Sequence, residues 1–404
     1  CSLQNEDVGV HGRVVLTKSE GKPALDVNAY LDHANIGNLG DYWPESVMSD
    51  NILAWLRRGL VGGRLERGRF QIHGDMDNWP FREGIGRFEA LAEVSDVELD
   101  YVADWPVARG VDARLRFLGP SLDISGSIAN LAGVPVYQVG AAIKNLKKPV
   151  LSVEYAARTD LPGFLGFVEN SPLQEKINTD LSRFDFSGPA VTEGDMRFPL
   201  GDAEGEISIH GKAILEGGRF HEPGSGITLE NIGGEVQYDQ LGFSARGLNV
   251  TYRDHPAELA LKATADSDEK FRADMNGEFD VRDVIPGFVL DSYSALSQIE
   301  GSTDWQVSLV VASDQPDEEA APVLTINSGL EGVALKLPAP LRKRAGENWP
   351  LVLHYPLSEK DSLLHIELVD RVTLNFDLAE ETGSPRSAAV GVGGGNPSLP
   401  PDGL

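Results

Sequence analysis

The chain has 404 residues, and its 35 Lys and Arg against 62 Asp and Glu give a formal net charge of −27 at pH 7. A nucleic-acid-binding protein needs a basic excess to displace counterions from phosphates, so the acidic balance excludes nucleic acid as a partner. Cys1 is the only cysteine, which excludes a Cys-based zinc site, an iron–sulfur cluster and an internal disulfide. Hydrophobic residues make up 41% of the chain, and 44 glycines with 24 prolines indicate a folded, turn-rich protein.

The two ends of the sequence indicate an internal fragment of a longer protein. It opens at Cys1 without Met or a signal peptide, and it closes on a Gly- and Pro-rich run, Gly391–Leu404. A processed lipoprotein, which would also begin with Cys, is the alternative. The longest apolar runs, such as Leu309–Ala312 and Phe164–Val168, fall far short of the ~18 residues of a membrane span. We therefore expect any membrane anchor to lie outside this sequence.

Three segments have the apolar spacing of a helix: Met48–Leu60, with Ser49 as its N-cap, Pro172–Leu181 and Phe288–Ile299. Elsewhere apolar and polar residues alternate with period two, and turn signals recur about every ten residues. This pattern predicts an antiparallel meander with one apolar and one polar face. Three short helices cannot cover such a sheet. Its apolar face must be covered by another sheet, covered by the same sheet curling on itself, or reserved for a ligand.

An internal repeat divides the chain. With an offset of 121, Val111–Ile143 aligns with Ile232–Thr264 without a gap, so that Leu115 meets Val236 and Phe117 meets Tyr238. Each copy follows a predicted helix, and a third, divergent unit follows the last one. We therefore predict five segments: the end of a preceding β unit (1–47), a helix plus β unit (48–160), its repeat (161–282), a divergent helix plus β unit (283–390) and a Gly/Pro-rich linker (391–404).

The sequence contains no motif of an enzyme active site. It has no G-x-S-x-G elbow, no Walker loop and no G-x-G-x-x-G between a strand and a helix. His73-Gly74-Asp75-Met76-Asp77 could suggest a divalent metal, but we interpret it as a strand end followed by a polar turn. The Trp-Pro pairs, such as Trp105-Pro106, are interpreted as hydrophobic plugs at strand entries. Arg342-Lys343-Arg344 is interpreted as a loop charge cluster too small for a headgroup site. We predict no catalytic residue, no metal and no cofactor.

Two segments carry a family resemblance. In Tyr42–Phe81, the turn Tyr42-Trp43-Pro44 leads to Trp55-Leu56, then to Gly63-Arg64, a strand, and the turn Trp79-Pro80-Phe81. In Val333–Leu351, the sequence reads LPAPLRKRAGE from Leu337 to Glu347. Both segments are similar to signatures of the YhdP branch of the AsmA-like family, although Trp replaces an expected aliphatic residue at 43 and an expected Phe at 79.

The resemblance implies a fold and a function. Members look like long proteins of the Gram-negative envelope, anchored in the inner membrane and extending through the periplasm, with similarity to bridge-like lipid transfer proteins. The implied fold is mainly β: an elongated, curled antiparallel sheet that forms an apolar groove, with a few short helices. The implied function is passive transport of phospholipids from the inner to the outer membrane, which serves outer membrane biogenesis. The implied partners are phospholipid acyl chains in the groove and both membranes, reached through parts outside this sequence; any envelope protein partners stay unknown.

On this interpretation, eight residues line the groove: Phe88, Leu115, Phe117, Val236, Tyr238, Phe243, Leu259 and Phe376. Five charged residues are expected to face water: Arg87, Glu89, Asp112, Arg114 and Glu258. Two other hypotheses remain open. In the first, the same strands form dry β-sandwiches that act as a structural or interaction scaffold of the envelope. In the second, a β-solenoid enzyme acts on polysaccharide through a pair of carboxylates.

Overall fold

A computed structural model describes residues 1–19, 22–43, 50–78, 81, 86–174, 184–200, 203–223, 226–264, 267–284, 298–312, 322–339, 341–357, 363–378, 385–393, 395 and 397–399. The chain is mainly β, with 68% strand. The first strands are β1 (Ser2–Gln4), β2 (Val8–Ser19), β3 (Lys22–Asn35), β4 (Leu60–Asp75), β5 (Gly86–Leu99), β6 (Ala108–Leu118), β7 (Ser121–Leu131), β8 (Val134–Ile143), β9 (Val150–Asp160), β10 (Asp185–Ser187), β11 (Pro189–Pro199) and β12 (Ser208–Glu222). The others are β13 (Ile227–Asp239), β14 (Gly242–Tyr252), β15 (His255–Thr264), β16 (Glu269–Asp280), β17 (Ile299–Glu300), β18 (Ser302–Ala312), β19 (Val323–Ser328), β20 (Ala334–Leu335), β21 (Leu351–Pro356), β22 (Leu363–Leu368), β23 (Val372–Leu378) and β24 (Pro385–Val392).

Three α-helices are described: α1 (Asp50–Gly59), α2 (Leu161–Glu169) and α3 (Val281–Val284). Helix α1 confirms the first predicted helix, whose N-cap position 49 lies outside the described residues. Helix α2 was not predicted; it begins directly after Asp160, whose side chain accepts a hydrogen bond from Gly163 N (2.8 Å) and caps the helix. Residues 175–183 and 285–297, which include most of the second and third predicted helices, lie outside the described residues.

The predicted antiparallel sheet is confirmed: 22 strands belong to one sheet that is not closed, while β17 and β20 form a separate pair. The described residues divide into two compact units. The first contains 1–181, 187–214 and 238–240, and the second contains 182–186, 215–237 and 241–404. The predicted repeat boundaries, which follow sequence periodicity rather than compactness, stay a prediction.

In the first unit, register shifts concentrate at one end of the strands. They fall between Val94 and Val97 on β5 and between Gly126 and Ile128 on β7, and similar shifts occur on β4 and β8. Gly63, at a φ of 116°, makes one of these irregularities possible, because a Cβ there would lie 2.6 Å from Val97 Cα. Each bulge bends its strand and increases the local twist. The bent ends surround a buried cluster of Ile36, Val97, Ala108, Val111 and Ala113.

In the second unit, a segment from Leu330 to Trp349 covers the sheet. Trp305, Phe279 and Val333 are each 2% exposed or less in the cluster that it completes. Lys343 fixes this segment from inside, because its Nζ donates hydrogen bonds to three backbone carbonyl oxygens, those of Leu330 (2.7 Å), Val333 (2.8 Å) and Arg344 (3.2 Å). The interpretation of this residue as a surface charge is therefore wrong: Lys343 is 2% exposed, and burial lowers its pKa.

Replacing Lys343 with Met should lower the free energy of unfolding by about 2–4 kcal/mol, because three buried carbonyl oxygens would lose their donor. Thermal or urea unfolding measures this loss. Arg342→Met is the matched control, since Arg342 is the exposed neighbour of Lys343 in the same segment, and it should change stability by less than about 0.5 kcal/mol. Equal stability of the two variants would contradict the anchoring role.

Candidate functional site

The apolar face of the first unit is continuous across nine strands. One row of directly opposed residues crosses β2 to β9 and continues on β11, and all its members are apolar. These residues are Val10, Leu31, Gly68, Ala92, Leu115, Ile124, Ala141, Val153 and Met196. A second row lies two residues along each strand, and it contains Gly12, Ala29, Phe70, Ala90, Phe117, Leu122, Ile143, Leu151 and Phe198. We call these the first and second apolar rows.

The first apolar row is only half-buried. All nine of its residues keep part of their surface exposed, including Leu115 at its centre. Eight inter-strand spacings of ~4.8 Å make the row roughly 38 Å long. A packed sheet-on-sheet core would bury such side chains almost completely. The face therefore has the character of an apolar surface that another apolar body could cover.

Aromatic rings of three strands meet on this face. Phe88 on β5 packs edge-on against Phe70 on β4, with ring centroids 5.7 Å apart. On the other side its ring lies 6.4 Å from that of Phe117 on β6. Phe88, Leu115 and Phe117, predicted as one set, therefore lie together on one face of the sheet.

The opposite face is charged. Glu89 pairs with Arg87 and with Arg116 (3.3 Å), while Glu93 pairs with Arg67 (2.5 Å) and with Arg114 (3.3 Å). The hydrogen bond from Arg87, with a smaller contribution from Arg116, holds the pKa of Glu89 below its usual value. These cross-strand pairs fix the polar side of the register.

Four of the five charged residues predicted to face water, those on β5 and β6, lie on this opposite face, while Glu258 lies on β15 of the second unit. Arg87, Asp112, Arg114 and Glu258 are exposed. The Glu89 side chain is only 12% exposed because the two arginines cover it.

Towards β9–β12, residues of the same unit cover the apolar face. Trp105, in the loop between β5 and β6, is 8% exposed, with its ring 5.5 Å from Phe198 and 6.1 Å from Phe167 of α2. Helix α2 lies against β8, β9 and β11, and its Phe164 ring lies 5.5 Å from that of Tyr238. Trp105 is thus packed on the sheet, in agreement with its interpretation as a plug.

Three hydroxyl groups form a chain within this covered part. The oxygens of Tyr155 and Tyr238 are 2.6 Å apart, and those of Tyr238 and Thr192 are 2.5 Å apart. Thr192 Oγ1 donates to the Lys212 carbonyl oxygen (3.1 Å), so Tyr238 donates to Thr192 and Tyr155 donates to Tyr238. Burial raises the pKa of both tyrosines, which keeps the hydroxyls neutral.

In the second unit, a comparable row is packed unevenly, because Leu248, Leu259 and Ile326 are buried whereas Val390 is 64% exposed. It contains Leu248, Leu259, Met275, Val307, Ile326, Leu353, Ile366, Leu374 and Val390. Leu259 is 6% exposed, and Phe376 is 8% exposed in a cluster with Leu364 and Leu378. Phe243 lies on the same face as Leu259, opposite Ala263, and it is half-buried.

The eight predicted groove residues therefore do not form one uniform lining. Phe88, Leu115 and Phe117 share the half-buried face of the first unit, while Leu259 and Phe376 belong to packed parts of the second. Val236 is half-buried on β13. Tyr238 belongs to the first unit through its hydroxyl contacts.

Sequence reasoning missed Tyr155 and Thr192, although their alternation with Val153 and Met196 places them on the apolar face.

The His73 segment forms a turn, as interpreted. Strand β4 ends at Asp75, whose side chain accepts a hydrogen bond from Asp77 N (3.0 Å), and His73 Nδ1 lies 3.5 Å from Asp26 on the neighbouring strand. Among the described residues, no group of three or more His, Cys, Asp or Glu is placed to hold a metal ion. No helix in the described part of the chain is long and apolar enough to cross a membrane.

A long open antiparallel sheet, with few helices in the described part of the chain, defines a mainly-β protein. The family described as YhdP protein matches residues 1–404, and the chain belongs to this family. It is 21% identical over 337 residues to the intermembrane phospholipid transporter YhdP of Escherichia coli (strain K12), a match that covers 82% of this chain and 26% of that protein. The chain thus spans about a quarter of the length of this curated relative. No solved structure matches it.

Replacing His73, Asp75 and Asp77 together with Ala should leave the midpoint of thermal unfolding nearly unchanged, because the residues lie in an exposed turn and the hydrogen bond from Asp77 N to Asp75 is worth about 1 kcal/mol. Melting curves with and without Zn²⁺ or Ca²⁺ check this, and lipid binding should match that of the wild type. A cation that stabilises the wild type but not the variant would restore the metal interpretation.

Proposed function

We propose that the apolar rows of the first unit form a groove that holds phospholipid acyl chains, and that this chain is one section of a longer protein that moves phospholipids between membranes. The half-buried first apolar row supports the proposal most directly, because it leaves apolar surface in need of a cover. The name of the Escherichia coli relative supports the same class of cargo.

The transfer free energy of acyl carbons and the length of the first apolar row both favour lipid as the cover of this face. Moving a methylene group from water onto apolar surface is favourable by about 0.8 kcal/mol, so a few acyl carbons offset the cost of restricting the chain. One leaflet's acyl chains span ~15 Å, half of a ~30 Å hydrocarbon core. The first apolar row is more than twice as long, so lipids can follow one another along it. Headgroups would stay in water, and no specific polar pocket is required.

We further propose that transport runs through the periplasm, from the inner to the outer membrane, as a passive bridge. The binding of acyl chains by an apolar surface needs no catalytic group, and we propose no enzymatic activity. The many charges on the opposite face are compatible with exposure of that face to water. The net charge of −27 also disfavours tight adhesion of this section to anionic lipid headgroups.

The alternative is a dry scaffold, and one observation favours it locally. In the second unit, the Leu330–Trp349 segment packs onto the sheet, and Trp305 and Val333 are almost fully buried. Such packing stabilises the fold and already covers the apolar face there. We therefore assign the lipid-binding role to the first unit, with Phe88, Leu115 and Phe117 as its central residues, and treat Leu259 and Phe376 as packing residues.

Leu115→Asp should abolish co-purification of phospholipid while the chain stays folded, because a carboxylate in the groove costs several kcal/mol to desolvate under an acyl chain but can be hydrated when the groove is empty. Ser125→Asp is the matched control. Ser125 is exposed on the opposite face and lies across from Arg114, so the same charge there should leave lipid binding intact. Native mass spectrometry reads bound lipid, and thermal unfolding reads stability.

The two hypotheses give opposite outcomes for Leu115→Asp. A dry sandwich would bury an unpaired charge and lose about 3 kcal/mol or more of stability. Absence of lipid from the wild type, together with unfolding of Leu115→Asp, would overturn the groove.

A further inference from the structure

The covered part of the first unit occupies the same apolar rows that we assign to lipid. Met196 ends the first apolar row and Phe198 ends the second; the Phe198 ring contacts Trp105, and Met196 packs against the cluster that contains both. Phe167 of α2 packs in the same cluster and also against Val134, Val136 and Ala157. We call Trp105 together with Phe164 and Phe167 the aromatic plug. An acyl chain that followed either row from β7 to β11 would meet it.

Two glycines of the sheet make room for the hydroxyl chain of Tyr155, Tyr238 and Thr192, which lies beside this plug. A Cβ at Gly211 would lie 2.4 Å from the Tyr238 ring, and one at Gly194 would lie 2.7 Å from the Tyr155 hydroxyl. Both positions therefore need glycine while the tyrosines lie across β11 and β12. Tyr238 reaches Thr192 on β11 and Tyr155 on β9, so it bridges several strands over the apolar face.

Hydrogen bonds in the flanking segments and packing on the sheet hold the plug in place. The Trp55 Nε1–H of α1 donates to the Tyr101 carbonyl oxygen (3.0 Å), which positions the loop that carries Trp105. Helix α2 has nine residues, two of them glycines, Gly163 and Gly166, and glycine is less favourable than alanine inside a helix. A helix with so little intrinsic stability depends on its packing against the sheet.

We propose that the aromatic plug is a gate in the groove: closed, as in this structure, it blocks acyl chains between β7 and β11, and it must leave the sheet for lipid to pass. This inference rests on the proposed function. An acyl chain that enters would replace aromatic contacts with aliphatic ones, so the sheet stays covered in both states. The hydroxyl chain helps to hold the closed state, because Tyr155 and Tyr238 satisfy each other only while they bridge the strands.

Site-specific photo-cross-linking on the 404-residue chain tests the gate. A benzoylphenylalanine replaces Phe117, in the open part of the groove, or Met196, beneath the plug. Each protein is incubated with vesicles of dioleoyl phosphatidylethanolamine and dioleoyl phosphatidylglycerol and irradiated, and cross-linked phospholipid is counted by mass spectrometry. The wild type should give cross-links at 117 and almost none at 196. With Trp105→Ala, the yield at 196 should rise to that at 117.

Trp105→Phe is the control, because it keeps an aromatic ring in the plug and should leave the pattern of the wild type. If circular dichroism shows that Trp105→Ala unfolds, Phe164→Ala opens the α2 side of the plug and should give the same gain at 196. Equal cross-linking at both positions in the wild type would overturn the gate, as would folded plug variants without a gain. Absence of cross-links at both positions in every folded protein would instead overturn the proposed function.

Discussion

The two faces of this protein depend on strand register. A shift of one residue in any hairpin would turn that strand's apolar side chains towards the charged face, because successive residues of a strand point to opposite sides. Leu115 lies opposite Ala92 on one side and Ile124 on the other, while its neighbour Arg114 lies opposite Glu93 and Ser125. Salt bridges on one face and apolar contacts on the other thus specify the same register. This agreement explains how the first apolar row can cross nine strands without interruption.

The same strands perform two tasks at their two ends. Bulges near Val97 and Ile128 bend the sheet onto a cluster whose five buried residues lie outside the two apolar rows, although Leu115 and Ile124 also pack against it. The opposite ends, with Leu115 and Phe117, stay regular and half-buried. A protein that binds lipid over an extended surface cannot rely on this surface for its stability, because the surface loses its cover whenever lipid leaves. The separation of packed ends from open ends meets this requirement.

The sequence predicts the faces well because alternation is a local property. Phe88, Leu115 and Phe117 are found together, and the meander and the turn at Asp75 follow from pattern and composition alone. The contacts of Tyr238 could not be predicted in this way, because they depend on how far the ring reaches across Gly211 to other strands. Lys343 was misinterpreted for a related reason: only the folded segment brings three carbonyl oxygens to its Nζ. The position of α2 was missed because its Gly-containing, largely apolar sequence has no polar face to mark it as a surface helix.

Polar groups inside an apolar groove need a physical reason, and Tyr155, Thr192 and Tyr238 have one. A lone buried hydroxyl costs roughly 1–3 kcal/mol, but a chain that ends on the Lys212 carbonyl satisfies all three donors at once. That arrangement is stable only when both tyrosines lie flat across the sheet. It therefore favours one conformation, because hydrogen bonds depend on direction, whereas the hydrophobic contacts of side chains such as Leu151 and Val153 do not. The hydroxyl chain thus gives the covered part of the face one defined conformation. The open rows around Leu115 keep the uniform apolar character that lipid requires.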